Sequence, residues 1–309
     1  MSRHVGFGVE TTYGTAVAST DFTEALSESL QKNMTFEELA PLRTNSTRKR
    51  NLLTSSVGGD VTMLGNYQDV GLLLKHFVGT VDTTGGGPYT HTFPASTGTT
   101  GRSGLGLTCE IKRDTTAKTW RYAGCKVTGM SIQASQSQSP QFTFSFLGKS
   151  ETTGTVTTTI SYPTFDPMLT GNCIITFSGA TMPVQDLSLN CEWPVDEPFA
   201  MGAATFAREP SENGTLTVGG TATVIFEDAE MTQYGYFDGS TDVDIAIALT
   251  DGTHSLTVNM NKCKFTAVTA NLSGRERLVG TFTFSSDYDT DATENIQFIL
   301  INDDASLGA

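Results

Sequence analysis

The sequence predicts a mainly β protein made of two tandem antiparallel β-sandwich or barrel domains, each with one flanking α-helix. Composition is the first reason. Apolar residues make up 38% and charged residues 17% of 309 residues, which suits sheets that bury one residue in two. Alternation is the second. Runs such as Phe142-Thr143-Phe144-Ser145-Phe146 and Phe282-Thr283-Phe284-Ser285 place their aromatic residues on one face of a strand. The third is self-similarity, because several blocks occur twice in the same order.

Along the first half, Leu26–Phe36 reads as a strand and residues 39–54 as a polar loop holding Arg48-Lys49-Arg50. Val57–Leu64 reads as a second strand, broken by Gly65. Asn66 is placed to cap a helix from about Tyr67 to Val78, with Val70, Leu73, Leu74 and Phe77 on one face. Thr80–Gly104, with Gly85-Gly86-Gly87-Pro88 inside it, reads as a long exposed loop or hairpin. Strands are expected near 105–113, 119–134 and 141–149. In the second half they fall near 184–193, 215–226, 243–250, 255–270 and 279–286. A short helix is expected over Ala229–Phe237, and a last strand at Ile296–Ile301 that serves either its own sheet or a neighbouring subunit.

The matched blocks set the domain organisation. Cys125-Lys126-Val127-Thr128 matches Cys263-Lys264-Phe265-Thr266, and Val57-Gly58-Gly59 matches Val218-Gly219-Gly220. Leu26–Glu38 resembles Val184–Glu197. The expected division is 1–165, carrying the extra loop 80–104, and 166–309. Charge follows the same division. The first half holds 14 Lys and Arg against 12 Asp and Glu; the second holds 5 against 21. The halves thus face different neighbours or meet each other across subunits.

Several function classes drop out. An overall charge of −14 opposes nucleic-acid grasping, which needs Lys and Arg to displace counterions. No apolar run reaches the roughly 20 residues of a membrane span, and the N-terminal residues lack a secretory h-region. Cys109, Cys125, Cys173, Cys191 and Cys263 form no C-x-x-C pair, so buried free thiols are expected rather than disulfides or zinc. Asp287-x-Asp289-x-Asp291 begins like a calcium loop, but Ala292 and Phe298 stand where Gly and Glu are needed. No nucleophile elbow or H-E-x-x-H pattern is present. The expectation is a protein with no catalytic residues, no cofactor and no metal.

The opening Gly8-Val9-Glu10-Thr11-Thr12-Tyr13-Gly14-Thr15-Ala16-Val17, followed by Leu26-Ser27-Glu28-Ser29-Leu30, is similar to that of a group of tail tube proteins of long-tailed, siphovirus-like bacteriophages. The order of elements resembles the tube fold as well. The resemblance implies rings of six domains whose sheets join into a barrel, rings stacked into a tube, and DNA passing through at ejection without specific binding. Two domains per chain favour a trimer with pseudo-sixfold symmetry, with a hexamer remaining open. Partners implied are the chain itself, the tape measure protein and tail-end proteins. The expected location is the virion tail, after a stay in the host cytoplasm.

In that family the loops between the first two long strands commonly contact the next ring. Carried over, they are Leu39–Thr54 and Phe199–Gly214, which nominates Arg43, Arg48, Lys49, Arg50, Arg208, Glu209 and Glu212 as inter-ring contacts. The alternatives are a non-catalytic β-module that binds carbohydrate or a cell surface, and another tail component such as a terminator or baseplate hub.

Overall fold

A computed structural model describes residues 3–40, 42–43, 45–96, 102–113, 118–155, 160–199, 208–227, 230–270, 277–292 and 294–307. The first half begins with β1 (His4–Val9), β2 (Asp21–Thr23), β3 (Ala25–Glu28), β4 (Gln31–Leu39) and β5 (Lys49–Leu64). Helix α1 (Val70–Val78) is followed by β6 (Asp82–Thr84), β7 (Tyr89–Ser96) and β8 (Leu107–Lys112). Then come β9 (Lys118–Ser135), β10 (Gln138–Gly148) and β11 (Ser150–Thr155).

The second half contains β12 (Cys173–Phe177), β13 (Ala180–Thr181), β14 (Val184–Glu192), β15 (Val195–Asp196), β16 (Ser211–Glu212) and β17 (Thr217–Ile225). Helix α2 (Glu230–Asp238) precedes β18 (Val243–Thr250), β19 (Ser255–Thr269), β20 (Val279–Ser286) and β21 (Glu294–Asn302). The fold is mainly β, as the alternation and composition require.

One pairing order occurs twice. In the first half β4, β5, β10, β9, β8 and β1 are successive antiparallel neighbours. In the second, β14, β17, β20, β19, β18 and β12 repeat it. The strand after the central hairpin also repeats: β11 pairs with the start of β9, and β21 with the start of β19. Helix α1 lies on β9, and α2 on β19.

The matched sequence blocks have local physical causes. Both Cys-Lys blocks sit at a bulge where the register slips, between Cys125 and Tyr122 against β8 and between Cys263 and Met260 against β18. A bulge leaves a carbonyl without a ladder partner. The thiol three residues on supplies one: Cys125 Sγ donates to Tyr122 O at 3.5 Å, and Cys263 Sγ to Met260 O at 3.7 Å. Both thiols are buried and free. The Gly-Gly blocks allow close approach of neighbouring backbone. A Cβ on Gly59 would stand 2.5 Å from Ser29 O, and one on Gly220 would stand 2.3 Å from Ser188 O.

The two halves share their sheets and core. Asp186–Glu192 of β14 pair with Ser135–Gly129 of β9. The β6–β7 hairpin fills part of the stretch 80–104, and β7 pairs with β21. Of the stretch expected to be an exposed loop or hairpin, Asp82–Ser96 form a hairpin built into the second half's sheet, and residues 97–101 lie outside the described residues. The last strand, β21, joins β19 of its own half and β7 of the other. Apolar residues of both halves form one buried cluster, from Phe7 and Phe144 through Leu189 to Phe282 and Phe298.

Three local expectations are corrected. The helix starts at Val70, not near Tyr67, and Asn66 does not cap it. Its Oδ1 instead accepts from Gln68 N and Asp166 N, each at 3.2 Å. The strand expected over Leu26–Phe36 is divided into β3 and β4. The loop expected over 39–54 is shorter, because β4 and β5 pair as far as Leu39 opposite Lys49. Lys49 and Arg50 of the basic run thus belong to a strand.

His76 lies in the buried face of α1. Burial, and then the charges of Lys75 and Arg102, pull its pKa down from 6.5 to about 3. The unfolded chain therefore binds a proton below pH 6.5 that the native chain refuses. This contribution to stability is complete above 6.5 and is lost as the pH falls. At about pH 5 the expected loss is roughly 2 kcal/mol. Denaturant unfolding of wild type and His76→Gln at about pH 7.5 and about pH 5 should show a shallower pH slope in the variant.

Candidate assembly surfaces

The long strands leave backbone edges unpaired. The first part of β9 pairs with β8 and β11, whereas its C-terminal part lies between β10 and β14. In the second half, β19 residues 264–269 pair on one side with β20, and among the described residues nothing pairs with the other side. At the opposite end of the chain, β4 pairs among the described residues with β5 alone. Among the described residues, the edge that β14 fills in the first half therefore has no partner in the second. The strand corresponding to β14 in the first half is β4, whose outer edge likewise has no partner among the described residues.

The arm formed by β4 and β5 exposes apolar side chains: Met34, Phe36, Leu39, Leu42 and Leu53. Arg43, Arg48, Lys49 and Arg50 lie at its far end, all exposed. Arg50 reaches across the hairpin to Glu38 at 2.5 Å, and Glu38 also accepts from Thr47 Oγ1 at 3.1 Å. Arg43, Arg48 and Lys49 have no ion-pair partner among the described residues. Arg208 is exposed too, and its backbone N–H donates to Pro198 O at 3.0 Å.

Glu209 and Glu212 are engaged within the chain. Lys126 Nζ lies 2.6 Å from Glu209 Oε1 and donates to the carbonyls of Arg102 and Pro210. Gly104 N also donates to Glu209 at 2.6 Å. The Arg102 guanidinium lies 3.5 Å from Glu212, donates to Val127 O at 2.6 Å and stacks over the Trp193 ring at 4.9 Å. Burial pulls Arg102 down to about 10, opposed by Glu212. Trp193 Nε1 donates to Phe77 O at the end of α1. These contacts seal Glu209, Pro210 and Glu212 onto the first half; the rest of the expected loop, 200–207, lies outside the described residues. The repeated Cys-Lys block was their only sequence signal; the partners of Lys126 are about 24 and 83 positions away in sequence and follow no period.

A family model for the phage tail tube protein matches residues 2–292. The chain belongs to the phage tail tube protein family. No curated protein sequence matches it. Membership agrees with the mainly antiparallel architecture and gives this tube protein a structural role in the virion tail. The tube-like opening motif forms the end of β1, Gly8 and Val9, and the segment after it. Glu10 is buried there and accepts from Gly14 N at 2.6 Å, Thr108 Oγ1 at 2.8 Å and Gly124 N at 2.8 Å. The motif thereby ties the N-terminal segment to the bulge of β9.

The Lys126–Glu209 pair gives a test of the seal. Lys126 is 8% exposed and Glu209 32%, so water screens the pair only partly. In a double-mutant cycle of Lys126→Met and Glu209→Gln, followed by denaturant unfolding, a coupling of about 1–3 kcal/mol is expected.

Proposed function

We propose that three chains close into a ring of six tube domains, that the chain divides near residue 165, and that the rings stack into the conduit for DNA at ejection. The observation that carries this reading is the β9–β14 junction inside the chain. It is a worked example of how one domain's sheet continues into the next. Repeating it between chains sets the outer edge of β19 against β4 of a neighbour.

The register follows from the repeat. Gln31 pairs with Gly58 as Asn190 pairs with Gly219, so Lys32 takes the place of Cys191. Met130 and Val268 stand at matching places opposite Phe144 and Phe282. Cys191 faces Met130; Lys32 of one chain therefore faces Val268 of the next, and Gln31 faces Thr269. Such a contact is head-to-tail, and it closes into a ring when its rotation does. Closure also pairs the two open edges, which otherwise invite aggregation. A ring of six chains would need one half of each to stand outside the barrel, which gives the internal junction no role.

Around such a ring near-neutral and strongly acidic domains alternate. The basic arm end, Arg43, Arg48, Lys49 and Arg50, with Arg208, then contacts the acidic half of a subunit in the next ring. Glu209 and Glu212 serve the seal within the chain. The channel holds the tape measure protein before ejection, and tail-end proteins close the stack. The family's structural role and the lack of any catalytic motif in the sequence support a non-catalytic protein.

Two measurements test the assembly. Oxidation of the Lys32→Cys/Val268→Cys variant in assembled tubes should give covalent species up to three chains on non-reducing gels. A ladder extending to six, or no cross-link, would overturn the trimer. Changing Arg43, Arg48 and Lys49 together to Glu should leave rings but abolish tubes in negative-stain micrographs. Tubes of normal length would remove the arm from the ring contact.

A further inference from the structure

His254, in the turn between β18 and β19, stands among three carboxylates drawn from three segments. Its Nδ1 lies 2.7 Å from Asp166 Oδ2 and 3.4 Å from Asp251 Oδ2, and its Nε2 lies 3.3 Å from Asp303 Oδ1. Asp166 belongs to the segment joining the halves, and Asp303 follows β21. A neutral imidazole has one N–H, so it cannot donate on both sides. Both nitrogens are ion-paired with these carboxylates, but Nδ1, Nε2 and Asp166 Oδ2 lack the alignment of a full hydrogen bond.

A hydroxyl without a partner lies beside them. Tyr67 is 1% exposed, its ring centroid is 6.2 Å from that of His254, and its hydroxyl is buried with no partner. Burial first, then the charges of Asp251 and Asp166, push its phenol up. A buried hydroxyl without a partner, beside ion pairs that are out of line for hydrogen bonds, leaves a place for a bound species. Asp251 Oδ1 is occupied by the N–H groups of Thr253 and His254 at 2.7 and 2.6 Å, which leaves Oδ2 facing the imidazole.

We propose that Asp166, Asp251 and His254 hold a divalent first-row cation, zinc or manganese. One ligand atom from each of the three lies within 4.8 Å of the others. Asp303 then receives Nε2–H, so that the Nδ1 lone pair faces the ion, an arrangement that orients metal-binding histidines generally. One nitrogen and two carboxylates suit zinc or manganese better than magnesium or calcium, and the two negative charges balance the ion. Tyr67 closes the site from the first half. The ion would staple the joining segment to the second half's β18–β19 turn.

The test uses the unassembled full chain without a histidine tag, stripped with EDTA and dialysed. Calorimetric titration with ZnCl2 and MnCl2 should give about one ion per chain, with MgCl2 and CaCl2 binding at least about tenfold more weakly. Near-saturating zinc should raise Tm by about 3 °C or more. Asp166→Asn and His254→Gln should each abolish stoichiometric binding, and Asp303→Asn should weaken it about tenfold or more. Chelation and reloading of the wild type need no variant to fold. Absence of stoichiometric binding by wild type, or undiminished binding by Asp166→Asn, would overturn the site and leave the imidazole held as an imidazolium by its carboxylates.

Discussion

Backbone hydrogen bonding at strand edges governs this molecule. Strands β9 and β19 are longer than the sheet that their own half supplies, so each presents backbone groups beyond its local partners. An unpaired edge must be paired, covered or blunted. In the first half β14 supplies the partner, and the sheet passes from one half to the other without interruption. In the second half no partner is present within the chain among the described residues. The internal junction thus shows one way in which such an edge is paired.

The repeat is preserved where the backbone is least regular. A bulge, its thiol and the glycine pair under the adjoining strand occur in both halves at corresponding places. Each resolves a local steric or hydrogen-bonding problem that the strand pairing creates. The thiol satisfies a carbonyl that the bulge frees, and the missing Cβ lets two strands approach. The rest of the sequence is free to diverge, and the charges have done so. The first half retains buried Arg102 and Lys126, while the second provides Glu209 and Glu212 against them. After β4 the hairpin extends to Leu39 opposite Lys49, whereas after β14 Trp193 donates to Phe77 O at the end of α1.

This asymmetry bears on assembly. Identical domains around a ring need only one kind of contact. Two unlike domains in one chain permit a contact within the chain and a related one between chains, each with its own side chains. Head-to-tail contacts between a near-neutral and an acidic surface also discourage like-to-like pairing, because juxtaposed carboxylates repel.

The sequence by itself determined the class of fold, the repeat, the helix face at Val70, Leu73, Leu74 and Phe77, and six second-half strands, β14 and β17 to β21, to within about two residues, but not β12, β13, β15 or β16. These are encoded by period and by local steric need, which neighbouring residues carry. Only the tertiary structure decided that β7 joins β21, that β9 meets β14, that the basic run extends a strand, and that Asp166, Asp251, His254 and Asp303 converge. Such contacts join residues far apart in the chain, and a backbone edge accepts any strand that can lie beside it. Which strand does so depends on the packing of the whole sheet, and no local pattern records it.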